Sequence, residues 1–204
     1  MKFYPMKLLH LSIISIAIIA FVSCNTTADK PAAVPDTVYV EKKPDSIPIP
    51  SNIPEGATKG DFNGDGVTEY VWLVSPKLKT DGADCEGECD CYLKFSNPAI
   101  PDLKVQQCIG GTPVNHGDLN DDKSDEIGLL RDWFSSCWSG YLVYTLKNGE
   151  WINAVETFST HCNQWEAGVI PIEKDKINPG HVIIRYSETT EDSIALREKS
   201  VVVK

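Results

Sequence analysis

The sequence predicts an all-β domain made of two to three antiparallel β repeats and stabilised by disulfides. Three observations lead there. The segment Gly60-Asp61-Phe62-Asn63-Gly64-Asp65-Gly66-Val67-Thr68-Glu69 returns as Gly117-Asp118-Leu119-Asn120-Asp121-Asp122-Lys123-Ser124-Asp125-Glu126, an offset of 57 residues, and self-similarity at a fixed period marks a repeated unit. Runs rich in β-branched and aromatic residues follow each copy, without a competing 3.6-residue periodicity. Six of the 7 cysteines fall between positions 85 and 162, an even number that in an exported chain reads as a disulfide framework.

Taken from the N-terminus, the first residues form an address and not a fold element. Lys2 and Lys7 precede an uncharged, mostly apolar run from Leu8 to Val22, too short for a comfortable span of about 20 apolar residues. The run ends in Phe21-Val22-Ser23-Cys24, which resembles the lipobox of bacterial lipoprotein precursors. That resemblance implies cleavage after residue 23, acylation of Cys24 and a membrane tether, with Asn25 at the next position favouring the outer membrane. Removing Lys2 and Lys7 leaves 17 basic residues against 29 acidic ones, near −12, so acyl chains and not anionic headgroups must hold the protein. Six of the 13 prolines lie between residues 25 and 59, and this stretch reads as a semi-extended stalk. The expected organisation is a signal peptide over 1–23, lipidated Cys24 and linker over 24–59, and a β-repeat domain over 60–204.

Within that domain the first unit is expected to hold strands at 70–74, 91–96 and 103–109. The second has them at 127–130, 140–146 and 151–157, and the third at 181–186 and 193–203. A further step of 57 residues reaches Asp175, with Gly180 five residues on, but Ile177, Pro179 and Ile183 replace the polar positions. This third copy keeps the period without the ligands. Asn148-Gly149 between alternating runs reads as a type I′ hairpin turn. Counting back from it places Leu146 opposite Trp151 and Cys137 opposite Thr160, with Cys162 one diagonal step away on the same face, within reach of a Cys137–Cys162 disulfide. Among Cys85, Cys89, Cys91 and Cys108 a bond between Cys89 and Cys91 is strained, and Cys108 alternates out of phase with Leu103 and Val105. Pattern alone leaves those partners open.

In D-x-N-x-D-G-x-x-E, side-chain oxygens at positions 1, 3, 5 and 9 and a carbonyl at position 7 converge on one point. Ca²⁺ takes 6–8 oxygens at about 2.3–2.6 Å, and three carboxylates balance its charge. Gly66 at position 6 allows the positive φ that wraps the loop. An EF-hand needs a carboxylate at position 12, where Trp72 stands, and a helix where a strand is expected. The loops resemble instead the FG-GAP and VCBS-type repeats, propeller blades whose calcium loop leads into a strand. That resemblance implies an incomplete propeller or compact β-sandwich. It also implies the ligands Asp61, Asn63, Asp65, Glu69 and the Val67 carbonyl, then Asp118, Asn120, Asp122, Glu126 and the Ser124 carbonyl. Calcium is expected at the first loop, with a second ion at the other loop, whose position 6 is Lys123. Without metal, the same Asp and Asn residues form only Asx-turns.

Charge and motifs narrow the function. With 19 basic against 29 acidic residues the net charge is −10, a surface that repels phosphate backbones, so nucleic acid is not an expected partner. No G-x-S-x-G, H-E-x-x-H or P-loop occurs, and an enzyme is not expected. Cys85-x₃-Cys89-x-Cys91 lacks the paired spacing and histidine of structural zinc. Trp133, Phe134, Trp138 and Tyr141 read either as core or as a sugar-stacking platform. Ser139-Gly140-x-x-x-Tyr144 resembles, with one residue more between its glycine and tyrosine, the short S-G-x-x-Y pattern of periplasmic lysozyme-inhibitor lipoproteins. The expected role is therefore a lipid-anchored, extracytoplasmic, calcium-binding module with a binding or structural task at the cell envelope. Its expected partners are the membrane, through the anchor, and a protein or glycan ligand; an inhibitor-like or glycan-binding lipoprotein is the alternative.

Overall fold

A computed structural model of the chain describes residues 52–204; the signal segment, Cys24 and the linker up to residue 51 lie outside the described residues. The first sheet is a meander of β1 (Thr58–Gly60), β2 (Glu69–Val74), β3 (Cys91–Phe95) and β4 (Leu103–Val105), each antiparallel to the next. The second repeats that plan with β5 (Gly110–Asn115), β6 (Ile127–Asp132), β7 (Trp138–Lys147) and β8 (Glu150–Asn153), and β9 (Phe158–His161) pairs the early part of β7. After a single helical turn, α1 (Cys162–Glu166), the third sheet holds β10 (Ile172–Lys174), β11 (His181–Thr189) and β12 (Ile194–Val202). The domain is thus all-β, three antiparallel sheets with no closed barrel among the described residues. No helix among them is long and apolar enough to cross a membrane.

Two apolar clusters place the second sheet in the middle. Alternation along β2, β3 and β4 sends Val71, Cys91, Leu93, Leu103 and Val105 inward, where they meet Ile127, Leu129, Leu142 and Tyr144 of the second sheet. The opposite face of β7 contributes Tyr141 and Val143, which pack with Ile172, Val182 and Ile184 of the third. Residues 141–145 of β7 are consequently buried without interruption, the pattern of a strand covered on both faces. Gly128 on β6 allows this closeness: a Cβ there would lie 2.3 Å from both His116 Nε2 and Tyr141 Oη.

The structure departs from the expected pattern where the chain leaves regular alternation. Asn148 (φ 54°) and Gly149 (φ 79°) form the two-residue turn, and Leu146 faces Trp151 as counted. Tyr144 pairs Asn153 but Tyr141 pairs Phe158, so residues 154–157 insert two extra positions. Ala154 and Val155 from this excursion bury themselves in the second cluster, which sustains it. The slip puts Thr160 opposite Ser139 and carries Cys162 to Cys137, with Cα atoms 4.9 Å apart in a disulfide. Similarly the expected strand over 103–109 ends at Val105, because Gln107 turns through φ 52° and delivers Cys108 beneath Cys91, Cα–Cα 5.3 Å. Cys85 pairs Cys89 at 5.4 Å.

The expected strand over 151–157 stops at Asn153 and β9 begins afresh at Phe158; besides β9, three strands lay hidden in the sequence, β1, β5 and β10, each leading into one of the aspartate loops. They are short edge strands carrying Gly, Pro or Lys, without the β-branched signal. β1 begins at Thr58, two residues before the position at which the β-repeat domain is expected to start.

Candidate metal centre

Each aspartate loop joins the first two strands of its sheet, and the two intact copies fold alike bond for bond. In the first, Asp61 Oδ1 accepts from Asp65 N (3.1 Å) and Oδ2 from Gly66 N (2.8 Å), Asn63 Oδ1 accepts from Asp65 N (3.1 Å), and Asp65 Oδ1 from Val67 N (2.7 Å). In the second, Asp118 accepts from Asp122 N (3.2 Å) and Lys123 N (3.0 Å), Asn120 Oδ1 from Asp122 N (3.0 Å), and Asp122 Oδ1 from Ser124 N (2.8 Å). Gly64 and Gly66 adopt φ 72° and 83°; Asp121 and Lys123 adopt φ 65° and 81° at the matching positions.

The position after each first aspartate is a plug. Phe62 and Leu119 sit in the first and second clusters, anchoring each loop between consecutive sheets. Lys176 occupies that position in the third loop, where it is exposed and belongs to neither cluster. There the Asp175 carboxylate takes neutral donors, Ile177 N, Asn178 N, Asn178 Nδ2 and Ser200 Oγ, which hold its pKa far below the usual range.

The carboxylates converge. Among the described residues, Asp61, Asp65 and Glu69 form the all-carboxylate group whose oxygens lie within 4.8 Å of one another. Glu69 and Glu126 begin β2 and precede β6 respectively, and both are almost wholly buried, 2% and 0% exposed. Glu69 Oε2 accepts from Phe62 N (3.0 Å) and Oε1 from Asn97 Nδ2 (3.3 Å); burial, aided by the charges of Asp65 and Asp61, raises its pKa. Glu126 Oε2 accepts from Leu119 N at the corresponding place. Its Oε1 makes no hydrogen bond, although Thr145 stands beside the carboxyl. Burial first, and then Asp122 and Asp118, push this pKa up to about 7. A buried carboxylate oxygen with no donor is expensive unless a cation satisfies it.

Asp125, which sequence reasoning passed over, ties the loops together. Its Oδ2 accepts from Asp61 N (2.9 Å) and Asn115 Nδ2 (2.7 Å), and its own N–H donates to Asp61 O (2.7 Å). Lys174 makes the next link, donating to Asp118 O (2.9 Å) and Asp121 Oδ1 (2.6 Å). Only the placement of Asp125 one residue before the terminal Glu hinted at this, and that position is Thr68 in the first copy.

Lys123 gives a local test. A Cβ-bearing residue in the left-handed region costs about 1 kcal/mol or more, partly offset by the entropy glycine adds to the unfolded chain. Lys123→Gly is therefore expected to stabilise the domain by about 0.5 kcal/mol and to strengthen cation binding at the second loop, read by denaturant melts with and without calcium.

The remaining candidates separate clearly. Trp72 lies on β2, facing away from the first cluster. Cys137, His161 and Cys162 are close together, but both sulfurs are in the disulfide, and His161 caps α1 by accepting from Asn163 N. The acidic run at 81–90 is met by Lys77 on Glu86, Lys79 on Asp84, and Lys104 on Glu88 and Asp90. Ser139 donates to Arg131 O (3.0 Å) and Tyr144 is buried in the first cluster, both within β7. Tyr141 is core, whereas Trp133, Phe134 and Trp138 are exposed. Set beside known protein families, curated proteins and solved structures, the chain matches none of them.

Proposed function

We propose that the chain is a lipid-anchored, extracytoplasmic, calcium-binding β-repeat module with a binding or structural role at the cell envelope. The observation that carries the calcium reading is the shared turn geometry of two loops that each carry three carboxylates, drawn within 4.8 Å of one another in the first, while the second leaves a buried Glu126 oxygen without a donor. Calcium would be held by Asp61, Asn63, Asp65, Glu69 and the Val67 carbonyl, and a second ion by Asp118, Asn120, Asp122, Glu126 and the Ser124 carbonyl. Ca²⁺ suits an all-oxygen set of this charge. Bound there, the ions neutralise repelling carboxylates and clamp the turns that join successive sheets, so their role is structural and they perform no reaction. The FG-GAP and VCBS-type likeness of the loops agrees with this reading. Calorimetric titration of the purified domain with calcium tests it, and the absence of binding removes the metal.

The anchor rests on Cys24 and the apolar run before it. Cys24→Ala is expected to move the protein from the membrane fraction to the soluble envelope fraction. A variant that still sediments with membranes like the wild type counts against lipidation.

A further inference from the structure

The three exposed rings of the second sheet lie at the end opposite its aspartate loop, Trp133 and Phe134 on the connection between β6 and β7 and Trp138 at the first position of β7. Trp133, Phe134 and Trp138 are 40%, 37% and 36% exposed, and none belongs to either apolar cluster. Two other tryptophans commit their indole N–H to the fold: Trp151 Nε1 donates to Pro101 O (2.8 Å) and Trp165 Nε1 to Thr160 Oγ1 (3.2 Å). The indole N–H groups of Trp133 and Trp138 donate to no group among the described residues.

The connection is held firmly in spite of this exposure. Cys137, between Ser136 and Trp138, is bonded to Cys162; Trp138 N donates to Ser136 Oγ (3.0 Å), and Ser136 Oγ to Trp138 O (2.9 Å). Arg131 Nη1 donates to Gln106 O (2.7 Å), fixing the guanidinium beside the rings. Trp138 packs edge-on against His161, and Trp133 against Phe134, with centroids 4.9 and 5.0 Å apart. Rigid aromatic groups lose little entropy on binding.

Together these residues line a cavity of about 300 Å³, with Arg131, Asp132 and Ser136 set among the rings. It adjoins a second of about 180 Å³ that adds Gln107. We infer that this cleft binds a pyranose-containing glycan. A pyranose presents an apolar C–H face that stacks on an indole, and a rim of hydroxyls. Asp132 can accept from adjacent hydroxyls while Arg131 and the free indole N–H groups donate to them. A bilayer suits the site poorly, because inserting the rings would desolvate Asp132 and bring a chain of net charge −10 against anionic headgroups. The inference does not depend on calcium, since β6 separates the cleft from the aspartate loop.

The test is a glycan array probed with the disulfide-intact chain, followed by tryptophan-fluorescence titration with the oligosaccharide that binds best. Saturable binding is expected, weakened at least tenfold by Trp133→Ala and by Trp138→Ala, less by Trp138→Phe, and not at all by Trp72→Ala or by chelator. Melting curves confirm that each variant is folded. Calcium titration of the same variants is expected to be unchanged, which separates failure of the cleft from failure of the metal loops. The inference is overturned if no glycan on the array binds, if binding survives both alanine variants, or if only phosphatidylglycerol vesicles shift the tryptophan emission.

Discussion

Chelating calcium from the folded domain is expected to lower its Tm by about 5–10 °C without unfolding it. An ion that binds only the folded state at 100 times its Kd stabilises by about 2.7 kcal/mol, and each kcal/mol is worth about 2–4 °C at this size. The three disulfides keep the metal-free chain assembled, which is why a shift and not a collapse is expected. Asp61→Ala and Asp65→Ala should diminish the calcium response more than Asp122→Ala. The first loop already brings its carboxylate oxygens within 4.8 Å, whereas the second carries Lys123 in a strained turn at φ 81°. Equal responses in all three variants would contradict that ranking.

Glu126→Gln is expected to act in opposite directions with and without metal. The folded carboxyl titrates near 7, above its unfolded value of about 4.3. Between those values the folded state holds a proton that the unfolded chain has shed, so this group makes stability fall as pH rises, its full cost being reached above pH 7. The gap corresponds to at most about 4 kcal/mol at 1.36 kcal/mol per unit. Gln keeps an acceptor for Leu119 N–H and removes the charge, so the chelated variant should gain about 2–3 kcal/mol at pH 8 and almost nothing at pH 4. With calcium present it should lose the second ion and that ion's stabilisation. His116 has the opposite sign: burial pushes it down to about 4, so its contribution is gained as pH rises from there to about 6.5. In the wild type the two trends offset one another over that interval. Denaturant melts of chelated protein from pH 5 to 8 should show a rising profile in the variant and a flatter one in the wild type. An unchanged profile would mean that Glu126 is not an uncompensated buried charge.

Much of this architecture can be read in the sequence, and the parts that cannot share a cause. The period of 57 residues and the alternating runs identify the principal strands, because half-buried strands must alternate. The first strand of each sheet was invisible: Thr58-Lys59-Gly60 and Ile172-Glu173-Lys174 are too short to show a period, and Gly110-Gly111-Thr112-Pro113 resembles a loop. The pairing of Cys137 with Cys162 follows from the hairpin, but its register depends on Ala154 and Val155 diving into the core, which no turn rule foretells. Loop ligands are legible because the chemistry demands particular residues at fixed spacing. Asp125 was not, since two of its bonds go to the backbone of Asp61 in the preceding repeat and a third to Asn115 on a strand the sequence did not reveal.

The most direct test of the central claim is calcium titration by isothermal calorimetry on wild type and on Asp65→Ala. Saturable binding to the wild type is expected, one site tighter than the other, with the tighter lost in the variant. Binding absent from the wild type, or unaltered by Asp65→Ala, would contradict it and leave the two loops as turns held by their own hydrogen bonds.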